Sequence, residues 1–156
     1  MLFNTCCFTG HRVIPKEKYM IIKVRLEQEI ERLAEEGVTN FCAGGALGFD
    51  TMAALTVLGM KKRMPQIKLT LILPCEEQAE GWSAINQAIY TDILLRADEI
   101  VYVEENYVKG CMQRRNRELV DRSGYCICYL EKQSGGTAYT VNYAKSLNRE
   151  IINVIE

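Results

Sequence analysis

Ser134-Gly135-Gly136-Thr137-Ala138-Tyr139-Thr140-Val141 decides the reading of this chain. The stretch follows a β-like run, Tyr125 to Leu130, and opens a helix-like run ending near Leu147. Paired glycines let the backbone turn sharply and let a ligand approach main-chain N–H groups with no Cβ in the way. The helix start behind them offers unpaired N–H donors and a partial positive charge. That combination suits an anionic group, most often a phosphate. Two junctions of the same kind lie upstream, Thr9-Gly10-His11-Arg12 and Gly44-Gly45-Ala46-Leu47-Gly48-Phe49-Asp50. Three in one small chain exceed what loop punctuation requires.

Outward from these junctions, short apolar runs alternate with amphipathic ones. Strands are expected at Thr5 to Phe8, Asn40 to Ala43, Leu69 to Leu73, Glu99 to Val103, Tyr125 to Leu130 and Glu150 to Ile155. Helices are expected at Pro15 to Glu36, Leu47 to Arg63, Trp82 to Arg96, Met112 to Arg122 and Gly136 to Leu147. In the first helix Tyr19, Ile22, Leu26, Ile30 and Leu33 share one face, and Gly37 is its stop. Continuous apolar strands alternating with helices signal a parallel sheet covered on both faces. The expected fold is therefore α/β, a Rossmann-like three-layer sandwich with a mainly parallel sheet. Ligand crevices in such sheets lie at the carboxyl ends of the strands, where strand order reverses. All three glycine junctions follow strands, so those strands should be central neighbours, which gives the order 4-3-2-1-5-6.

The chain has 156 residues, which fits one domain over 1–156. Its apolar fraction of 48% and charged fraction of 25% are ordinary for a globular protein. A formal net charge of −1 argues against broad binding to nucleic acid or anionic membrane. No apolar run approaches the roughly 18 residues of a membrane span. Met1-Leu2-Phe3-Asn4 leads straight into a strand without a signal-like segment, and the seven cysteines are odd in number. They are read as reduced thiols in a cytoplasmic protein. A metal site is not expected: there is no CxxC pair and His11 is the single histidine.

Several residues carry two readings each. Arg12 either forks onto a phosphate or carboxylate, or is a solvated turn arginine. His11 reads as a base, as a ligand contact, or as a turn residue satisfied by backbone, the last being the favoured reading. Asp50 either caps the start of its helix or accepts hydrogen bonds from ligand hydroxyls such as a ribose. Arg114-Arg115-Asn116-Arg117 is either a solvated face or partly turned to the crevice, since only residues three or four apart share a face. Trp82 is either a stacking platform for a base whose polar edge Gln78 reads, or a core or interface aromatic.

Four motifs together resemble the YpsA-like family of the SLOG superfamily. They are Thr9-Gly10-His11-Arg12, Gly45-Ala46-Leu47-Gly48-Phe49-Asp50, the run from Arg115 to Ser123, and the run from Gly135 to Ala144. More distantly the chain is similar to the Rossmann domain of DNA-processing protein A and to the LONELY GUY phosphoribohydrolases. The resemblance implies a nucleotide or nucleotide-derived ligand at the glycine loops. It places Gly10, Arg12, Gly44, Gly45, Gly48, Asp50, Arg115, Asn116, Arg117, Gly135, Gly136 and Thr137 at ligand-loop positions. It also implies a homodimer, for which Met52, Leu55, Leu58 and Met60 of the second helix are the expected surface. Two departures stand out. Ser123-Gly124 replaces the family's common Ser-Asp, and Asn142 falls where the phosphoribohydrolases carry a glutamate. An amide cannot serve as a general base. The expected function is thus binding or sensing of the ligand, ahead of its hydrolysis and ahead of single-stranded nucleic-acid binding. No cofactor is identified.

Overall fold

A computed structural model of the protein describes residues 2–156, and Met1 lies outside the described residues. Six strands form one sheet: β1 (Thr5–Gly10), β2 (Asn40–Ala43), β3 (Lys68–Leu73), β4 (Glu99–Tyr102), β5 (Tyr125–Tyr129) and β6 (Glu150–Asn153). Their order is β4-β3-β2-β1-β5-β6, and every pairing is parallel. This is the order expected from the glycine junctions. Five α-helices connect the strands: α1 (Tyr19–Glu35), α2 (Phe49–Met60), α3 (Ala84–Arg96), α4 (Cys111–Asp121) and α5 (Gly136–Ser146).

Side-chain alternation along the strands divides the core in two. Phe8, Phe41, Leu71 and Ile127 face Ile22 and Leu26 of α1, Val57 of α2 and Ile93 of α3. Cys7, Cys42, Ile72 and Cys126 face Leu119 of α4 and Val141 of α5. The result is three layers, with α1–α3 on one face and α4–α5 on the other. The chain therefore winds outward from β1 on one side and returns to β5 on the other. That reversal opens a crevice at the carboxyl ends of β1 and β5, where Gly10 lies beside Tyr129.

Three elements begin later than the sequence pattern predicts. Lys16–Lys18 form a 3-10 turn closed by the Lys18 N–H on the Pro15 carbonyl, so α1 starts only at Tyr19. Gly48 breaks the run Leu47 to Phe49 with φ +79°, so α2 starts at Phe49. Ser83 caps α3 by accepting the Asn86 N–H at 3.2 Å, which excludes Trp82 from the helix. The apolar face of α2 also differs from the expectation. Met52, Leu58 and Met60 are buried against the chain's own core, leaving Leu55 as the exposed member of the expected dimer surface. Among the described residues no helix is long and apolar enough to cross a membrane.

Candidate functional site

The loops after β1 and β2 are locked together. The Phe49 N–H donates to the His11 carbonyl at 3.1 Å. A Cβ on Gly48 would sit 2.2 Å from the Arg12 carbonyl oxygen, so only glycine fits this crossing. The crossing aims both Arg12 and Asp50 into one cleft of about 640 Å³. The far wall is the start of α5, with Ser134, Gly135, Gly136, Thr137 and Tyr139, and α4 contributes Met112, Gln113, Arg115 and Asn116. The start of α5 lines this space, and its first-turn N–H groups have no intrahelical acceptor.

Asp50 is buried at the cleft floor. Its Oδ2 accepts the Ala46 N–H at 3.2 Å, which satisfies the loop before α2. Burial raises its pKa to about 6, against the lowering effects of Arg115, the Ala46 N–H and Arg12. Arg115 is also buried, and desolvation lowers its pKa although Asp50 opposes that. Burial thus outweighs mutual attraction for both partners. Arg115 spends its donors elsewhere: Nη1 on the Gly44 carbonyl and on Gln78 Oε1 at 3.1 Å, and Nε on Asn116 Oδ1 at 2.8 Å. Gln78 in turn donates to the Tyr90 hydroxyl at 3.3 Å. Arg115 is therefore a positioning group for the β2 loop that also supplies charge behind Asp50.

The structure separates the expected residues into two sets. Gly10, Arg12, Asp50, Arg115, Asn116, Gly135, Gly136 and Thr137 line the cleft together. Gly44 and Gly45 are buried behind it, against Arg115 and against Leu73 and Gln78. Gly48 lies under the Arg12 backbone. Arg117 is turned outward and donates to the Tyr139 hydroxyl at 2.8 Å, while Arg114 pairs with Glu104. Ala46, Met112, Lys132 and Tyr139 also line the cleft, and Gln78 supports it from behind. Of these, Met112, Lys132 and Gln78 lie outside the glycine motifs, and Lys132 and Gln78 join the site through partners distant in sequence, His11 and Arg115. The His11 Nε2 accepts the N–H groups of Glu131 and Lys132 at 2.9 and 3.3 Å, so it ties the β1 loop to the β5 loop. Burial and Lys132 lower its pKa, with Glu131 opposing. Trp82 packs edge-on to Tyr90, with ring centroids 5.3 Å apart, and does not line the cleft.

Fold and cleft together define a Rossmann-like α/β protein with a polar crevice at the point of strand-order reversal. The chain belongs to the YspA SLOG family, whose match runs over residues 8–154. It is 34% identical over 137 residues to the uncharacterized SPbeta prophage-derived protein YoqJ of Bacillus subtilis, covering 80% of each chain. It is 34% identical over 132 residues to a UPF0398 protein of Halalkalibacterium halodurans, covering 83% of this chain and 70% of that one. Among solved structures it is similar to DNA processing protein A from Helicobacter pylori, reported for its single-stranded DNA binding mode. The TM-score is 0.67 at 19% identity, over 94% of this chain and 63% of that one. The Streptococcus pneumoniae protein of the same name gives a TM-score of 0.66 at 17% identity, over 96% of this chain and 49% of that one. The chain therefore spans less than two thirds of each of these two proteins, and the likeness is one of fold.

Proposed function

We propose that the cleft binds a phosphate-bearing nucleotide or nucleotide-derived molecule, and that the protein is a binding or sensing module for it. The observation that carries this reading is the convergence on one cleft of the α5 N-terminus, the Arg12 guanidinium and a buried Asp50 carboxylate. Unpaired helix N–H groups and a guanidinium suit a phosphate. A carboxylate a short way from them suits a sugar hydroxyl. Cleavage by the phosphoribohydrolase route is disfavoured. Asn142, which stands at the glutamate's place, lines a separate depression shared with Lys145 and Asn153 instead of the cleft. Seven free, buried thiols fit a cytoplasmic setting.

The test is titration calorimetry with mononucleotides, cyclic nucleotides and ADP-ribose, alongside a single-stranded oligonucleotide at physiological salt. The reading expects one small ligand to bind with unit stoichiometry. A second reading, single-stranded nucleic-acid binding, is favoured only by the fold likeness to DNA processing protein A. Submicromolar oligonucleotide binding with no small-molecule binding would replace the first reading with the second.

A further inference from the structure

Tyr139 is the one residue on the α5 wall of the cleft that carries a ring, and it is 40% exposed. Among the described residues that ring belongs to neither core cluster and makes no aromatic pair. Its hydroxyl accepts a hydrogen bond from Arg117 Nη1 at 2.8 Å. A bond at the hydroxyl holds the ring by its edge and limits its rotation, so less freedom remains to be lost when a ligand binds. Tyr143, one turn further along α5, makes the contrast. Its hydroxyl donates to Asp121 Oδ1 at 2.6 Å, but its ring packs against the second core cluster. Both tyrosines tie α5 to α4, and Tyr139 alone of the two lines the cleft. The other rings near the site are already engaged. Trp82 packs on Tyr90 outside the cleft. His11 lines the cleft, but its ring stands edge-on to Tyr129 with centroids 5.1 Å apart, and its Nε2 accepts two N–H groups.

We propose that Tyr139 is the platform on which the base of the bound nucleotide stacks, which rests on the reading of the cleft as a nucleotide site. Gly136 and Tyr139 are three residues apart and share a helix face, about 4.5 Å apart along the axis. Helical side chains lean toward the N-terminus, which inclines the ring toward the Gly135–Gly136 turn of the same cleft. A phosphate at the helix start and a ring one turn on are separated by a span that a single sugar bridges. Every base has a π-face, so stacking on one ring tolerates all of them. Tyr139 therefore selects nucleotides over base-free sugar phosphates, and leaves the choice among bases to polar groups of the cleft.

The probes are AMP, GMP, CMP and UMP, with ribose 5-phosphate as their base-free counterpart, each titrated calorimetrically into the wild-type chain, Tyr139→Ala and Tyr139→Phe. Stacking one base on an aromatic ring corresponds to about five- to hundredfold in affinity. At least one nucleotide should therefore bind wild type more tightly than ribose 5-phosphate by a factor in that range. Tyr139→Ala should remove that advantage and leave the affinity for ribose 5-phosphate unchanged. Tyr139→Phe keeps the ring without its tie to Arg117, and should retain most of the advantage. A thermal melt of each variant checks that the fold is kept. Equal binding of nucleotides and ribose 5-phosphate by wild type, or an equal loss of both in Tyr139→Ala, overturns the platform and leaves the phosphate site standing. A loss in Tyr139→Phe as large as in Tyr139→Ala makes the residue a helix tie like Tyr143, and also overturns it. Failure of wild type to bind any of the five overturns the platform and the nucleotide reading together.

Discussion

The Arg115 guanidinium lies where a side chain on Gly44 would have to be. It donates to the Gly44 carbonyl, and a Cβ at residue 44 would come within 2.8 Å of Nη1. The group cannot swing aside freely, because Gln78 also holds Nη1 and Asn116 holds Nε. Gly44→Ala should therefore cost about 1–3 kcal/mol, the range for overpacking a well-filled interior. Thermal unfolding should show a drop of several degrees. An unchanged midpoint would mean that Arg115 relocates without loss.

Removing the guanidinium is the more severe change. Arg115→Ala leaves the Gly44 carbonyl and Gln78 Oε1 without this donor and Asp50 without its buried counter-charge. Breaking a buried charged arrangement from one side costs about 3–5 kcal/mol. Arg115→Lys keeps the charge but loses the fork, so its cost should fall between wild type and alanine. Urea unfolding of the pair tests the order.

The pH dependence of stability follows from Asp50. Its folded pKa of about 6 exceeds the ordinary 3.8, because burial penalises the carboxylate. The folded chain then holds more protons than the unfolded one between those values. Stability from this group is greatest below the unfolded pKa, falls as pH rises, and is fully lost above about pH 6. The expected loss is on the order of 3 kcal/mol. Asp50→Asn keeps an acceptor for the Ala46 N–H and does not titrate. The unfolding free energy of the variant minus that of wild type should therefore climb between pH 4 and 6.5 and then level off. A flat difference across that range would show that the carboxyl is not raised. If a ligand hydroxyl donates to the carboxylate, affinity should weaken about tenfold per pH unit below 6.

Strand order was legible because the parallel strands are buried on both faces and read as unbroken apolar runs. The glycine junctions then marked which strands lie at the centre. The second helix misled for a related reason: apolar all round, it reads equally as a dimer face or as a buried helix. Burial of Met52, Leu58 and Met60 resolves that ambiguity for three of its four candidate surface residues. Helical spacing likewise could not say which arginine of the 114–117 group turns inward. That choice is made by the Gly44 carbonyl and by Gln78, partners distant in sequence. Gln78 carried no local signal beyond its place after β3.

Arg12 and Arg117 are separable by their partners. Among the described residues the Arg12 side chain makes no hydrogen bond to protein and lines the cleft, whereas Arg117 is engaged by the Tyr139 hydroxyl. A charge-assisted contact is worth roughly 1.5–3 kcal/mol. Arg12→Gln should therefore lower the affinity for an anionic ligand about ten- to hundredfold. Arg117→Gln should have a smaller effect, acting only through Tyr139. Calorimetry on both variants with the same ligand gives the ratio, and a larger loss at Arg117 would reverse the assignment.

Gly136 is the cleanest probe of the α5 end of the cleft. It is the first residue of the helix, it is exposed, and an added Cβ would meet no atom within 4 Å. Gly136→Val should therefore keep the fold, with stability changed by no more than about 0.5 kcal/mol, as for other surface substitutions. On the proposed reading, its branched side chain would nonetheless stand between the ligand and the helix N–H groups. Affinity should fall at least about tenfold, the equivalent of one lost hydrogen-bonding contact. Gly135 cannot serve as well. Its φ of +101° strains any side chain, so a substitution there lowers stability and binding together. Calorimetry and a thermal melt on Gly136→Val separate the two effects. A variant that melts like wild type and binds the ligand equally well would remove the start of α5 from the binding site.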